Sequence, residues 1–317
     1  MNRFMEVGTL VDSTPLVGDS DALRARFAED GYLLVRKIID PQLIAWARGR
    51  YRDALAAEEL IDPTVEAPIW TGNEPKTRRP CDALGTEVWH EMVRQPQLVE
   101  LLTSIFGEPP VWVPIVAHRS GLPSGEPAPD QDLFEGRHQD GFFNAGMNLT
   151  ICWIPMMDID RARGGFAIAP RTHGKGWFHS DQTPYKVPRE AFPETMWRTI
   201  DFKVGDVLIF NDQIVHTGLP NPSNEIRMSL DVRAVPKSAP SPIVGVVNEV
   251  KGGSVSIHAD TGEDVDVLVD DNTFIRDMDP RQRVPTAEVE RIAYPGAHVI
   301  AMVKAGGKAM VLRRNFY

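Results

Sequence analysis

Residues 205–233 read GDVLIFNDQIVHTGLPNPSNEIRMSLDVR. An apolar run ends near His216, the stretch LPNPSN interrupts it, and a second run opens at Arg227, eleven residues beyond the histidine. Apolar runs bounded by Gly, Pro and Asn are strand signals. A turn at LPNPSN predicts two strands side by side, with His216 at the end of one and Arg227 at the start of the next. Runs of the same kind recur from Val111 to about Val235, as VWVPIVA, NLTICWI, GFAIAP and DVLIFND. That spacing predicts a β-sandwich or jelly roll.

A second stretch, GRHQDGFF (136–143), holds His138 and Asp140. Iron(II) that activates oxygen is held by two histidines and one carboxylate on one face of an octahedron, with open positions opposite. Residues i and i+2 of a strand point the same way, so one strand carrying His138 and Asp140 supplies two ligands. A distant strand must supply the third, and His216 ends one. If the co-substrate is 2-oxoglutarate, its far carboxylate needs a buried cation, and the arginine fork matches a carboxylate at two points. Arg227 stands where such a cation is required. The pair alone carries no weight: eight histidines and 25 aspartates in 317 residues predict roughly 0.6 His-x-Asp pairs by chance. His258-Ala259-Asp260 is a second such pair, but the only histidine after it is His298, and Ala309 stands eleven residues beyond that.

The rest of the chain frames these residues. Its length suits one large domain, or one domain with a small appendage. A net charge of -10 makes nucleic acid a poor partner, because phosphate calls for a basic surface. Two cysteines, Cys81 and Cys152, suggest no disulfide scaffold and exclude a four-cysteine zinc site. Without a secretory start or an apolar run of about 18 residues, a cytoplasmic location and no membrane partner are expected. Residues 1–20 read as a loose arm. Residues 21–110 read as mainly helical, with Ser20 or Asp21 as first cap, Gly31 as stop and Pro41 opening the second helix. EVWHEMVRQPQLVELLTSIFG (87–107) is helical with a break at Pro96 and a stop at Gly107. Residues 62–84, with Trp70, read as a long loop. The jelly-roll core is expected over 111–236, bounded by the linker PKSAPSP (236–242). Residues 243–317 alternate in the strand manner and predict four or five strands in a small OB-like β-barrel. The acids of GEDVDVLVDD (262–271) argue against nucleic acid there, so packing or a homodimer contact is the expected use.

Over about residues 20–235 the chain resembles the phytanoyl-CoA dioxygenase family of iron(II)/2-oxoglutarate-dependent oxygenases. The resemblance is carried by FAEDGYLLVRKIIDPQLI (27–44), by HQD (138–140), by CWIPMMDIDRARGGFAIAPRTHGKG (152–176), and by GDVLIFNDQIVH (205–216) with Arg227 at the family's spacing. It implies a mainly β fold with flanking helices around a double-stranded β-helix core of the jelly-roll, cupin-like type. It implies His138, Asp140 and His216 as iron ligands and Arg227 as partner of the distal carboxylate of 2-oxoglutarate. Trp153 and Thr172 match positions near the co-substrate, and Ser229, two past Arg227 on one strand face, is a further candidate donor. The family's turn usually reads Pro-Gly where this chain has Pro170-Arg171, which puts that turn's geometry in question. The presence of Asp140 argues against halogenase chemistry. His173 falls on the family's turn histidine, a packing or hydrogen-bonding position.

The activity implied is oxidation of an unactivated C–H bond of a small molecule, consuming O2 and 2-oxoglutarate and releasing succinate and CO2. Hydroxylation is the default outcome; desaturation, epimerisation, cyclisation and peroxidation draw on the same chemistry. The family includes acyl-CoA hydroxylases and natural-product tailoring enzymes. Nothing here demands coenzyme A, so a tailoring role is expected, with acyl-CoA-type hydroxylation as the alternative. A cupin-like isomerase or binding protein that does not use 2-oxoglutarate is the other alternative, and Arg227 argues against it. Substrate contacts are expected from the loop between Trp70 and Asp82, where Arg78 and Arg79 are candidate partners of an anionic group, and from Phe142, Phe143 and Asn144.

Overall fold

The computed structural model describes residues 6–77, 79–144, 147–179, 186–240, 242–277, 283–304 and 306–315. The chain forms two compact units. Met1–Pro109, Val116–Gln139 and Thr150–Arg233 make the first; Pro110–Ile115, Asp140–Leu149 and Ala234–Tyr317 make the second.

In the first unit, α1 (Ser20–Asp30) is capped by Asp19, whose side chain accepts from the Ala22 N–H at 3.0 Å. The cap is therefore neither Ser20 nor Asp21. Asp19 is the residue with extended backbone, as a cap requires, and Ser20 is already helical. Gly31 ends α1 in the left-handed region at φ 77°. In α2 (Pro41–Ala57), Asp40 caps the Gln42 N–H, and Ile44, Ala47, Tyr51 and Leu55 form the buried face. Pro41 costs no hydrogen bond, since an N–H in the first turn has no helical partner. Pro96 divides α3 (Glu87–Val93) from α4 (Pro96–Phe106), and Gly107 closes α4. Helices of this length are marginal alone. Burial of side chains such as Leu98, Leu102 and Ile105, at about 1.5–3 kcal/mol each, holds them.

The strands β1 (Gly8–Thr9), β2 (Tyr32–Val35), β3 (Pro110–Gly121), β4 (Thr150–Pro155), β5 (Phe166–Ala169), β6 (Arg198–Thr199), β7 (Val207–Asn211), β8 (Val215–Gly218) and β9 (Arg227–Pro236) form two sheets. One runs β1-β6-β5-β8 and the other β2-β7-β4-β9-β3. Phe166 of β5 stacks on Trp153 of β4 at 5.2 Å and lies 5.6 Å from Phe210 of β7, so aromatic rings fill the space between the sheets. This is the layered arrangement of a jelly roll. The hydroxyl of Tyr51 donates to the Ser229 carbonyl at 2.9 Å and ties α2 to β9.

Three local expectations change. The described part of the N-terminal arm is docked: β1 pairs in parallel with β6, the Leu10 N–H donates to the Thr199 carbonyl, and Leu10 and Ser13 are buried. The strands of His216 and Arg227 are not neighbours, because β8 and β9 belong to different sheets. The intervening LPNPSN segment folds on Asn221, whose amide donates to the carbonyls of Glu225 (2.7 Å) and Gly121 (3.2 Å), and so crosses between the sheets instead of closing a hairpin. Finally, His138 and Asp140 do not share a strand. His138 makes an isolated bridge to His216, and Asp140 opens the single helical turn α5 (Asp140–Phe143).

In the second unit, β10 (Pro242–Lys251), β11 (Ser254–Ala259), β12 (Asp264–Leu268), β13 (Phe274–Arg276), β14 (Arg283–Val284), β15 (His298–Val303) and β16 (Ala309–Arg314) form one sheet in the order β12-β11-β10-β15-β16-β13-β14. The closed OB-like barrel of four or five strands is thus replaced by a seven-stranded sheet with two ends. An isolated bridge joins Leu268, at the end of β12, to Lys308 just ahead of β16, and β13 pairs in parallel with β16 beyond it. Val255, Ile257, Val299 and Leu312 are fully buried in its core.

Candidate metal centre and co-substrate pocket

The main chains of His138 and His216 exchange two hydrogen bonds, each N–H donating to the other's carbonyl at 3.0 Å. This reciprocal pair brings the imidazoles to 4.3 Å between centroids. Each ring is also pinned at Nδ1: His138 faces the Gly136 carbonyl at 2.8 Å and His216 the Ile214 carbonyl at 3.0 Å. A carbonyl only accepts, so each Nδ1 is the donor and Nε2 is the nitrogen of each ring that can bind a metal. Ligand atoms of His138, Asp140 and His216 lie within 4.8 Å of one another, and no other cluster of three or more metal-binding side chains occurs among the described residues. Two imidazoles and a carboxylate fit a non-haem iron(II) ion. The second His-x-Asp pair comes apart: His258 bonds to Asp264 at 2.8 Å, and Asp260 bonds to His298 at 3.2 Å.

Gln139, between the first two ligands, escaped the sequence reading. It is fully buried, donates from Nε2 to the carbonyls of Gly176 (3.1 Å) and Gln213 (2.8 Å), and accepts the Phe178 N–H at 2.8 Å. Its own N–H donates to His179 Nε2 at 2.9 Å, so His179 serves the backbone of the ligand segment. No composition or spacing signal marks a glutamine for that task; it depends on which loops converge there.

Behind His216, Phe166 stacks on the imidazole at 5.3 Å, and Trp153 packs on the far side of Phe166. Trp153 is a buried member of this aromatic column. The Thr172 hydroxyl donates to the Ala169 carbonyl at 2.8 Å and accepts from the Val215 N–H at 2.9 Å. Thr172 thus braces the residue before His216. Arg171 takes φ 62° and keeps the turn that glycine would make, with its guanidinium on Asp30 (2.9 Å) and Glu29 (2.7 Å). His173 bonds the Ala28 carbonyl at 3.0 Å.

Arg227 enters the same unit from β9. Its Nη1 donates to the carbonyls of Gly165 (2.7 Å) and Leu219 (3.1 Å). Two glycines cradle it: a Cβ on Gly218 would stand 3.0 Å from Nη2, and one on Gly121 3.2 Å. Burial pulls its pKa down to about 10, which leaves it cationic at neutral pH. Among the described residues no carboxylate pairs with it, whereas nearby Asp132 is held by Arg137. A half-buried cation with no carboxylate beside it calls for an anion. Arg227 borders a cavity of about 270 Å3 lined also by Leu122, Ser124, Leu133, Gly218 and Asn221. That is below the range of about 300–1,000 Å3 for drug-sized ligands and suits a small diacid. Ser229 is buried two residues farther along the same face of β9.

The proposed substrate residues are spread out. Trp70 donates from Nε1 to the Asn73 carbonyl, and its N–H bonds Asn224, so its loop runs along the segment that leads to Arg227. Asp82 lies in a short helix, 3.8 Å from Arg79. Arg78 lies outside the described residues. Phe142 is half-buried, while Phe143 and Asn144 are buried, all directly after Asp140.

The profile of the family described as Phytanoyl-CoA dioxygenase (PhyH) matches residues 27–229. The 1-deoxypentalenic acid 11-beta-hydroxylase of Streptomyces exfoliatus is 27% identical over 249 residues, which is 72% of this chain and 86% of the relative. The Streptomyces arenae protein of the same name is also 27% identical, over 253 residues, 72% of this chain and 85% of the relative. Among solved structures, the epimerase SnoN in complex with Fe3+, alpha ketoglutarate and nogalamycin RO has a TM-score of 0.53 at 19% identity, covering 69% of this chain and 84% of that one. EvdO2 from Micromonospora carbonacea var. aurantiaca has a TM-score of 0.50 at 12% identity, covering 73% and 93%. No helix among the described residues is long and apolar enough to cross a membrane. With the profile spanning both ligand stretches and the arginine between its cradling glycines, the chain belongs to the phytanoyl-CoA dioxygenase family of iron(II)/2-oxoglutarate-dependent dioxygenases.

Proposed function

We propose that this enzyme oxidises an unactivated C–H bond of a small molecule in natural-product tailoring, with hydroxylation as the default outcome. The observation that carries the co-substrate half of this reading is Arg227, a half-buried cation without a carboxylate partner among the described residues, on a cavity that Gly136 and Gly218, each two residues from a histidine ligand, also line. The relatives support the substrate half: one is named a hydroxylase of 1-deoxypentalenic acid, and a structural neighbour is an epimerase in complex with nogalamycin RO.

Bound iron(II) with 2-oxoglutarate supplies oxygen activation coupled to decarboxylation, giving succinate, CO2 and the oxidising power that removes a substrate hydrogen. The chain's residues do the rest. His138 and His216 offer Nε2 because their Nδ1–H groups are spent on backbone carbonyls. Asp140 contributes the negative charge. Arg227, with Ser229 beside it on β9, holds the distal carboxylate of the co-substrate and so fixes its keto-acid end toward the ligands. The column of Trp153 and Phe166 keeps water from the back of His216. Phe142, at the mouth of the ligand turn, is the substrate contact we favour.

Mixing anaerobic protein with Fe(II) and 2-oxoglutarate tests this. A weak visible charge-transfer band is expected, and His216→Ala should abolish it. Arg227→Ala should weaken 2-oxoglutarate binding far more than Fe(II) binding. No band in iron-loaded wild type refutes the reading.

A further inference from the structure

The turn that carries Asp140 is held by two buried arginines of the C-terminal sheet. β13 and β16 pair in parallel with Arg276 opposite Arg313, so both side chains leave the sheet at one level and on one face. They are only 5% and 6% exposed, and both reach Asn144, which is 4% exposed. Arg313 Nη1 donates to Asn144 Oδ1 at 2.5 Å, and Arg276 Nη1 donates to the same oxygen at 3.3 Å. Arg276 Nη1 also donates to the Phe143 carbonyl at 2.5 Å, and its guanidinium lies 5.2 Å from the centre of the Phe143 ring.

Two donors on Oδ1 decide which way round the amide sits. Its Nδ2 therefore turns back and donates to the Asp140 carbonyl at 3.0 Å. The Asn144 N–H goes instead to Gly141 at 3.1 Å, so the side chain supplies the bond that a fifth helical residue would otherwise make to Asp140. One turn of four residues cannot hold itself in water. Its geometry comes from Asn144, and the orientation of Asn144 comes from the arginines. The compact unit that contains the C-terminal sheet accordingly includes residues 140–149.

We infer that Arg276 and Arg313 are positioning residues for the carboxylate ligand: acting through Asn144, they set the turn that presents Asp140 to the metal. This rests on Asp140 being an iron ligand. It gives a role in the metal centre to a segment that lies beyond the family-matched residues 27–229. Removing groups that orient a metal ligand costs about 10- to 100-fold in metal affinity.

Co(II) binding to the full chain, followed by its visible absorption, tests the inference without turnover. Arg313→Met and Asn144→Ala should each weaken Co(II) binding about tenfold or more, and the double variant should bind no worse than the weaker single, as residues acting in series do. Asn144→Asp keeps an oxygen for both arginines and so preserves the fold, but loses the Nδ2 donor. It should weaken Co(II) binding with no fall in the melting temperature of the metal-free protein. Wild-type affinity in Asn144→Asp and Arg313→Met, or additive losses in the double variant, overturns the inference. Retained affinity in Asp140→Ala overturns both it and the ligand assignment beneath it. With Asp140→Ala deficient and Asn144→Asp unaffected, only the present inference falls.

Discussion

Gly218→Ala places a methyl group against the Arg227 guanidinium. The new Cβ would stand 3.0 Å from Nη2, inside ordinary carbon–nitrogen contact. Gly218 is not among the positive-φ glycines, so alanine suits its backbone and the perturbation is steric. The guanidinium has little room to retreat: Nη1 is bonded to Gly165 and Leu219, and Gly121 closes another side. A shift of a few tenths of an ångström would weaken one of the two charge-assisted bonds to a distal carboxylate. Such a bond is worth about 1.5–3 kcal/mol when lost outright. Partial loss near 1.4 kcal/mol corresponds to about tenfold weaker binding. Anaerobic titration of the Fe(II)-loaded protein with 2-oxoglutarate, read by the charge-transfer band, measures this directly, with Fe(II) affinity determined separately. The expected result is about tenfold weaker 2-oxoglutarate binding and unchanged iron binding. Gly121→Ala, whose Cβ would stand at 3.2 Å, should do less. Unchanged 2-oxoglutarate affinity in Gly218→Ala, or equal loss of iron, would show that Arg227 does not hold the co-substrate.

Two further outcomes concern stability. His118 is 3% exposed, and burial holds its pKa down to about 4. Above its unfolded value of about 6.5 the ring is neutral in both states; below that the unfolded chain gains a proton the folded one refuses, so stability falls as pH drops toward 4. Urea unfolding at pH 7 and pH 5 should show wild type losing about 2 kcal/mol more than His118→Leu, and parallel losses would contradict the assignment. Arg171 at φ 62° makes ion pairs while in a strained conformation. Arg171→Gly should be more stable than Arg171→Ala by about 1 kcal/mol, because both lose the ion pairs but only alanine keeps the left-handed strain; the reverse order in thermal unfolding would rule out strain at this turn.

What the sequence made legible was local. The stops at Gly31 and Gly107, the break at Pro96 and the β-rich runs each follow from backbone preferences of a few residues. His138, Asp140 and His216, which the fold brings together, could be picked out because residue type and order suffice to name a candidate ligand set. Strand partners were not legible. The runs around His216 and Arg227 look like a hairpin, yet β8 and β9 enter opposite sheets, since pairing is decided by distant strands. The same limit hid Arg276 and Arg313, which become neighbours only when β13 chooses β16. Gln139 was missed because a buried polar group's task depends on which carbonyls surround it.

The reciprocal peptide bonds between His138 and His216 bear on the order of events during folding. They join segments 78 residues apart in the chain, so they form late, after the loop-closure entropy between them has been overcome. The two imidazoles are then held side by side by main-chain hydrogen bonds, as in any sheet. An ion bound between them stabilises the fold by mass action, about 2.7 kcal/mol at a hundredfold excess over its Kd.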